Sequence, residues 1–333
     1  MNEGSLFWAF WNPEERRLRV SVRIYALVVL RSLVLSVIGA PVAVVLLDAV
    51  IGRRSADSSL TGGSLQAQLA GVTAAMLSTV LSVWVVGRFL DRRHFAGFGF
   101  HLSRGWWLDI FFGFALGGVL MGGIFAVELA AGWATVSGTF ESGWGSPFLV
   151  LTPVVVFAFV GLWEELLYRG YLLKNLAEGL RIEPLGPRGA VVLAWGLTSV
   201  FFGIAHVGNP NISTVAVVNI VAAGLMLGLP YVLTGELAVP IGLHLGWNLF
   251  QNMIFGFPVS GIEPTGATIF SVDQAGPALV TGGEFGPEGG LVGLLAIGAG
   301  CAAVLLRARL GGRVSVSEKV AEPPASAGGN RPS

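Results

Sequence analysis

Charge is what this chain has least of. Across 333 residues, Asp, Glu, Lys and Arg together make up only 12%, about half the roughly 25% usual in soluble domains. The acids and bases balance at 20 each, so no basic surface points to nucleic acid and none is expected as a partner. Cysteine is nearly missing too: Cys301 stands alone, which excludes an internal disulfide and leaves it a small core hydrophobe. The His-Glu-x-x-His pattern of a zinc-binding helix is absent, and no internal repeat stands out. What fills the chain instead is apolar: 53% hydrophobic residues with a mean hydropathy of +0.73. Composition alone places it in the membrane class.

A helix crosses the hydrocarbon core with about 20 apolar residues. Eight stretches qualify: Ile24–Leu47, Leu65–Val86, Trp107–Ala130, Phe148–Leu176, Ala190–His206, Ser213–Thr234, Leu237–Phe255 and Leu291–Leu306. The fifth and eighth are short enough to be tilted or re-entrant. The first is too long for a signal-peptide core and no small-residue cleavage site closes it, so it reads as a retained helix. The sequence thus predicts an all-α, polytopic membrane helix bundle of about eight transmembrane helices around a polar intramembrane cavity.

Basic residues test that count. Arg16, Arg17, Arg19 and Arg23 precede the first span; Arg88, Arg92, Arg93 and Arg104 lie between the second and third. Arg169, Lys174, Arg181 and Arg188 mark the link from fourth to fifth, and Arg307, Arg309, Arg313, Lys319 and Arg331 follow the eighth. Of the 20 bases only Arg31, Arg53 and Arg54 fall elsewhere, and Gly132–Pro147 and Gly256–Gly290 carry none. By the positive-inside rule both termini are cytoplasmic. The organisation reads as an N-terminal segment 1–106, with two transmembrane helices and an interfacial aromatic-basic linker, followed by a core at 107–255. An irregular Gly/Pro-rich outer loop spans 256–290, a last transmembrane helix 291–309, and a disordered cytoplasmic tail 310–333.

An ionisable side chain inside a span costs about 2.5–3.5 kcal/mol on insertion scales and asks for a reason. Arg31, Asp48 and Glu128 are isolated: the two acids sit near helix ends and can reach the interface, and the arginine can snorkel or pair. The fourth span differs, with Trp163-Glu164-Glu165-Leu166-Leu167-Tyr168-Arg169. Glu165 and Arg169 are four apart and can form an ion pair, while Glu164 lies about 100° round the helix and must face another partner. The fifth span ends in Phe202-Gly203-Ile204-Ala205-His206, and the seventh holds His244-Leu245-Gly246-Trp247-Asn248. Rise per residue puts these groups at overlapping depths, so three helices can bring a carboxylate, two imidazoles and an amide to one cavity. That set supplies a base, an orienter and oxyanion donors. Gly246, Trp247 and Pro240 read as packing residues.

Glu-Glu-x-x-x-Arg, then Phe-x-x-x-His, then His-x-x-x-Asn on successive membrane helices resembles the CPBP family, which includes the CAAX prenyl endopeptidases of the Ras-converting type and the Abi proteins. The match falls on Glu164, Glu165 and Arg169, on Phe202 and His206, and on His244 and Asn248, within a similarity from about Trp107 to Phe255, so that 107–255 would be the catalytic core. The resemblance implies an intramembrane endopeptidase acting on a membrane-associated or lipidated, CAAX-type peptide. Glu164 would be the base that activates water, with His206 sharing it. Asn248 with His244 would stabilise the oxyanion, and Glu165 with Arg169 would hold the geometry and charge of Glu164. No cofactor is favoured; were the enzyme of the metallo type, Glu164, His206 and His244 could ligate a divalent metal such as zinc. Two other functions fit intramembrane carboxylates: a non-catalytic, immunity-like member that binds a peptide or regulator, and a proton-coupled transporter, which the lack of paired repeats argues against. The expected location is the plasma membrane of a prokaryote.

Overall fold

A computed structural model describes residues 10–13, 15–42, 45, 62–140, 144–264, 266–312 and 314–324. Asp48, Arg53, Arg54, Arg313 and Arg331 lie outside the described residues. Among those described, seven helices are long and apolar enough to cross a bilayer: α1 (Val20–Val42), α2 (Leu65–Phe89), α3 (Arg104–Ala130), α4 (Pro147–Gly179), α5 (Gly186–Ala205), α6 (Thr214–Thr234) and α8 (Leu291–Leu310). The expected seventh span is the helix α7, whose α-helical part, Ala238–Leu249, is 12 residues long and runs on through a 5-residue π-helical turn, Phe250–Ile254. Its 17 residues stop short of a full crossing, because it is enclosed by protein rather than lipid and need not match the bilayer thickness. The fifth and eighth stretches, read as short, are each full 20-residue helices. The chain is an integral membrane protein built as a polytopic helical bundle.

Burial orders the bundle. In α6, 61% of the apolar window is buried inside the protein, against 11% in α1, so α6 is central and α1 peripheral. The closest helix pair is α3 with α7. A Cβ on Gly113 would meet the carbonyl of Val239 at 2.5 Å and one on Gly117 the amide of Trp247 at 2.4 Å; on the facing helix, Gly242 and Gly246 would meet the carbonyls of Ile110 and Phe114 at 2.1 and 2.2 Å. Two Gly-x-x-x-Gly pairs therefore interlock backbone against backbone. In lipid, where apolar contact with the solvent is no worse than with protein, close van der Waals packing of small residues is what holds helices together. This contact sets the depth and rotation of α7, hence of His244 and Asn248.

The segment 256–290 is not merely irregular. Strand β2 (Phe270–Gln274) pairs antiparallel with β1 (Ala134–Thr139), and Phe270 stacks on Phe125 at 5.4 Å, which in turn stacks on Phe255 at 4.5 Å. Glu128, expected to reach the interface, is fully buried beneath this hairpin, accepting a hydrogen bond from Gln274 Nε2 at 2.7 Å. Further along, Asn219 of α6 donates from Nδ2 to the carbonyls of Glu288 and Gly290 at 3.0 and 2.8 Å. A polar residue in the central helix thus pulls the end of the loop into the bundle.

At the opposite end lies a buried ionic cluster. Glu178 of α4 accepts from Arg17 at 2.6 Å, from Arg93 at 2.6 Å and from Arg23, which also bonds Asp91 and, at 2.9 Å, Asn175. These arginines, read from sequence as topology markers, are 3%, 9% and 0% exposed for Arg17, Arg93 and Arg23. Residues 314–324, expected to be disordered, pack against the same end: Ser317 N donates to Val232 O at 2.8 Å, Val320 and Ala321 are buried, and Arg93 reaches Glu322 O at 2.6 Å.

Two outcomes follow. Replacing Glu178 by Ala strands three arginines and is expected to cost about 3–5 kcal/mol, read as a large fall in the thermal midpoint of the detergent-solubilised protein. Gly246→Leu forces α3 and α7 apart; overpacking of this kind costs about 1–3 kcal/mol or more, and the same melt, compared with Gly123→Leu at a position where a Cβ meets nothing within 4 Å, checks it.

Candidate active site

The site is assembled where helices change their winding. Immediately after Glu164 and Glu165, α4 widens into an eight-residue π-helical stretch, Leu166–Leu173, and α7 does the same just past Asn248. Such turns recur at functional sites because they rotate side chains out of the regular helical register.

Glu165 is fully buried and is shared by two partners. Its Oε1 accepts from Arg169 Nη1 at 2.9 Å and from His244 Nδ1 at 2.9 Å. The i,i+4 ion pair expected from the sequence is present. Arg169 is anchored further by donating to Gly224 O at 3.0 Å and by lying over the ring of Phe202 at 4.5 Å. The structure alters one expectation here: Glu165 and Arg169 hold His244, not Glu164. With its Nδ1–H donated to Glu165, His244 presents Nε2, which lies 3.9 Å from Glu164 Oε2. That is too long for a hydrogen bond, yet short enough for one water to touch both atoms.

Glu164 is 8% exposed and its Oε2 has no hydrogen-bond partner among the described residues. On its other side, Arg31 of α1 donates to Thr79 Oγ1 at 2.9 Å, stacks 5.1 Å over Trp163 and lies within electrostatic reach of Glu164. This base, isolated in the sequence, is thus held by Thr79 and Trp163. His206 ends α5 and approaches Phe202 O with Nδ1 at 2.7 Å. A carbonyl only accepts, so Nδ1 carries the proton and Nε2 is left free. Both histidines are thus held by their Nδ1–H, a standard way of fixing tautomer and ring orientation.

Glu164, His206, His244 and Asn248 all line one cavity of about 400 Å³, together with apolar residues of α2, α4 and α6. This is within the size range of small-molecule and peptide sites. The sequence reading did not single out its other polar residues Gln68, Asn209, Asn252, Ser260 and Glu288. Asn252 continues the His244–Asn248 stripe by another i+4 step, a signal that was there to be read. Ser260 and Glu288 come from the loop 256–290, where Gly and Pro erase any period that would show which way a side chain points. Glu288 is 5% exposed, and its Oε1 accepts from the backbone N and, at 2.6 Å, from the hydroxyl of Ser260. Burial raises its pKa above the usual carboxylate value; the Ser260 hydrogen bonds and the imidazole of His206 pull the other way.

Among the described residues no three His, Cys, Asp or Glu side chains converge as a metal-binding group. Glu164, His206 and His244 share a cavity without forming a three-ligand set, and no step below is routed through a metal. Neither a curated protein nor a solved structure matches the chain. A family model does, over residues 146–250, described as type II CAAX prenyl endopeptidase, Rce1-like. This is narrower than the 107–255 expected from the motifs, and it contains every one of the motif residues from Glu164 to Asn248. Residues 146–250, which supply Glu164, His206, His244 and Asn248 to this cavity, are thus similar to the Rce1-like endopeptidases.

Proposed function

We propose that the chain is an intramembrane endopeptidase of the glutamate type, hydrolysing a peptide bond of a membrane-associated or lipidated, CAAX-type peptide. The observation that carries this reading is the convergence of an unpartnered Glu164 carboxylate, two imidazoles with fixed tautomers and the Asn248 amide on one cavity.

The chemistry follows from those atoms. A water held by Glu164, with His206 Nε2 as its second acceptor, loses a proton to this pair as its oxygen attacks the scissile carbonyl. Charge then grows on the carbonyl oxygen, and the Asn248 amide is placed to donate to it. His244 adds a second donor when its Nε2 is protonated, a state that the carboxylate of Glu165 at Nδ1 favours. Donors fixed before the reaction stabilise this charge without reorganising, which is why they count for more here than in water. As the tetrahedral intermediate collapses, the C–N bond breaks and the proton taken from water passes to the leaving amine nitrogen. Arg169 and His244 both donate to Glu165 Oε1, so that Glu165 orients His244 while Glu164 faces the water. The substrate is a peptide reaching the cavity from the bilayer, and the distribution of basic residues supports both termini on the cytoplasmic side.

Purified protein is expected to cleave a fluorogenic prenylated CAAX-type peptide in detergent micelles. Glu164→Ala and His206→Ala should each lower kcat by about 10²–10⁴ and Asn248→Ala by roughly 10²–10³, with melting unchanged; undiminished hydrolysis in the Glu164→Ala/His206→Ala double variant would refute the reading. For the metal question, activity should survive dialysis against 1,10-phenanthroline. Loss on dialysis with recovery on adding zinc would establish the metallo type instead.

A further inference from the structure

The loop 256–290 does more than cap the bundle. Asn219 pins its backbone at Glu288 and Gly290, Gly282 and Gly286 pack so closely that a Cβ on the former would lie 1.9 Å from the carbonyl of the latter, and Ser260 fixes one oxygen of Glu288. The consequence is a rigid carboxyl group set into the wall of the cavity. Its hydrogen bonds all fall on Oε1, and among the described residues the basic groups that act on it are the imidazoles of His206 and His244, with no Lys or Arg. The two arginines of the site are engaged elsewhere: Arg169 with Glu165, and Arg31 between Thr79 and Trp163.

A buried carboxyl without a guanidinium or ammonium partner is costly; Glu165 is paired with Arg169 and Glu178 with three arginines, while Glu128 takes the Gln274 amide instead. The surroundings have the same sign. The segment 256–290 contains Glu263, Asp273, Glu284 and Glu288 and no Lys or Arg. Burial and the like charge of Glu284 together raise the pKa of Glu263, which marks an acidic face left uncompensated by the chain itself.

We infer that Glu288 and Ser260 form a specificity subsite for a cationic group of the peptide substrate, a lysine ammonium or arginine guanidinium close to the scissile bond. The inference rests on the endopeptidase reading for its substrate class, but not on turnover. The cation would complete the missing ion pair: Glu288 is already buried and held by Ser260, so the remaining desolvation cost falls on the incoming cation. Apolar parts of the peptide would lie along the wall formed by Val156, Val160 and Ile262.

The test uses the full-length chain carrying Glu164→Ala, which permits binding without cleavage. Fluorescein-labelled prenylated peptides are compared in detergent micelles by anisotropy, each pair differing only by Lys or norleucine at one position, scanned across both sides of the bond. All have acetylated amino termini, so the only cation is the side chain. At one position Lys should bind at least about tenfold tighter than norleucine, as expected for a hydrogen bond to a charged group. Adding Glu288→Gln, which preserves the acceptor for Ser260, should abolish that difference, and Glu288→Lys should turn the preference toward a Glu-containing peptide. Equal binding of Lys and norleucine everywhere, or a preference that survives Glu288→Gln, would overturn the subsite. Cleavage by the unmutated protein without a Lys preference defeats this inference alone. A Lys preference that depends on Glu288, without any cleavage, defeats the endopeptidase reading and leaves the subsite standing.

Discussion

A carboxylate inside a membrane protein needs a counterion, and the one that Glu165 shares between Arg169 and His244 organises everything around it. Arg169 pairs with Glu165 from the same helix; His244 arrives from α7 and donates to the same oxygen, Oε1, at 2.9 Å. Because Arg169 is itself held by Gly224 O and by the face of Phe202, the pair cannot swing away to solvate elsewhere. Four helices, α4, α5, α6 and α7, are thereby locked at one depth, and the neighbouring Glu164 lines the cavity with its Oε2 unbonded among the described residues. A structural ion pair and a carboxylate that lines the cavity thus sit on adjacent residues, and the angle between successive helical positions separates their surroundings.

That arrangement holds only if α7 stays in register. Being 12 residues with a π-helical extension, α7 gains little from its own length, and the glycine contacts with α3 take over. Gly113, Gly117, Gly242 and Gly246 remove the side chains that would separate the two backbones. The π-helical turns after Glu165 and after Asn248 come where regular winding would send the polar side chains in divergent directions. At the far end, Glu178 and Asp91 tie Arg17, Arg23 and Arg93 together, so the segment before α1, the end of α2 and the end of α4 are fastened to one another while the cavity end stays accessible to a peptide.

The loop 256–290 links the scaffold to the cavity wall. Its sequence has neither helical nor strand period, yet Asn219 and the close glycine contacts give it one conformation that carries Ser260 and Glu288 to the cavity wall. The catalytic groups of a hydrolase can be common to many substrates, whereas a carboxyl presented by a loop can vary without disturbing them. Loops fixed on a rigid bundle are where such differences are expected to collect.

Much of this protein could be read before any coordinates. Low charge and long apolar runs determined a helical membrane bundle, because no other structure satisfies its backbone in lipid over such stretches. The spacing of Glu165 and Arg169 determined their ion pair, because four residues on a helix bring side chains together whatever surrounds them. The three motifs marked Glu164, His206, His244 and Asn248 because polar groups in hydrocarbon are too costly to be incidental. Tertiary structure alone decided which partner each group took. That Glu165 serves His244 and not Glu164, that Arg31 of a distant helix approaches Glu164, that arginines resembling headgroup anchors are buried on Glu178, and that a glycine-rich loop delivers Glu288 all depend on contacts between residues far apart in the chain. Periodicity describes a residue's position on its own helix. Which neighbour faces it is settled only by how helices and loops pack.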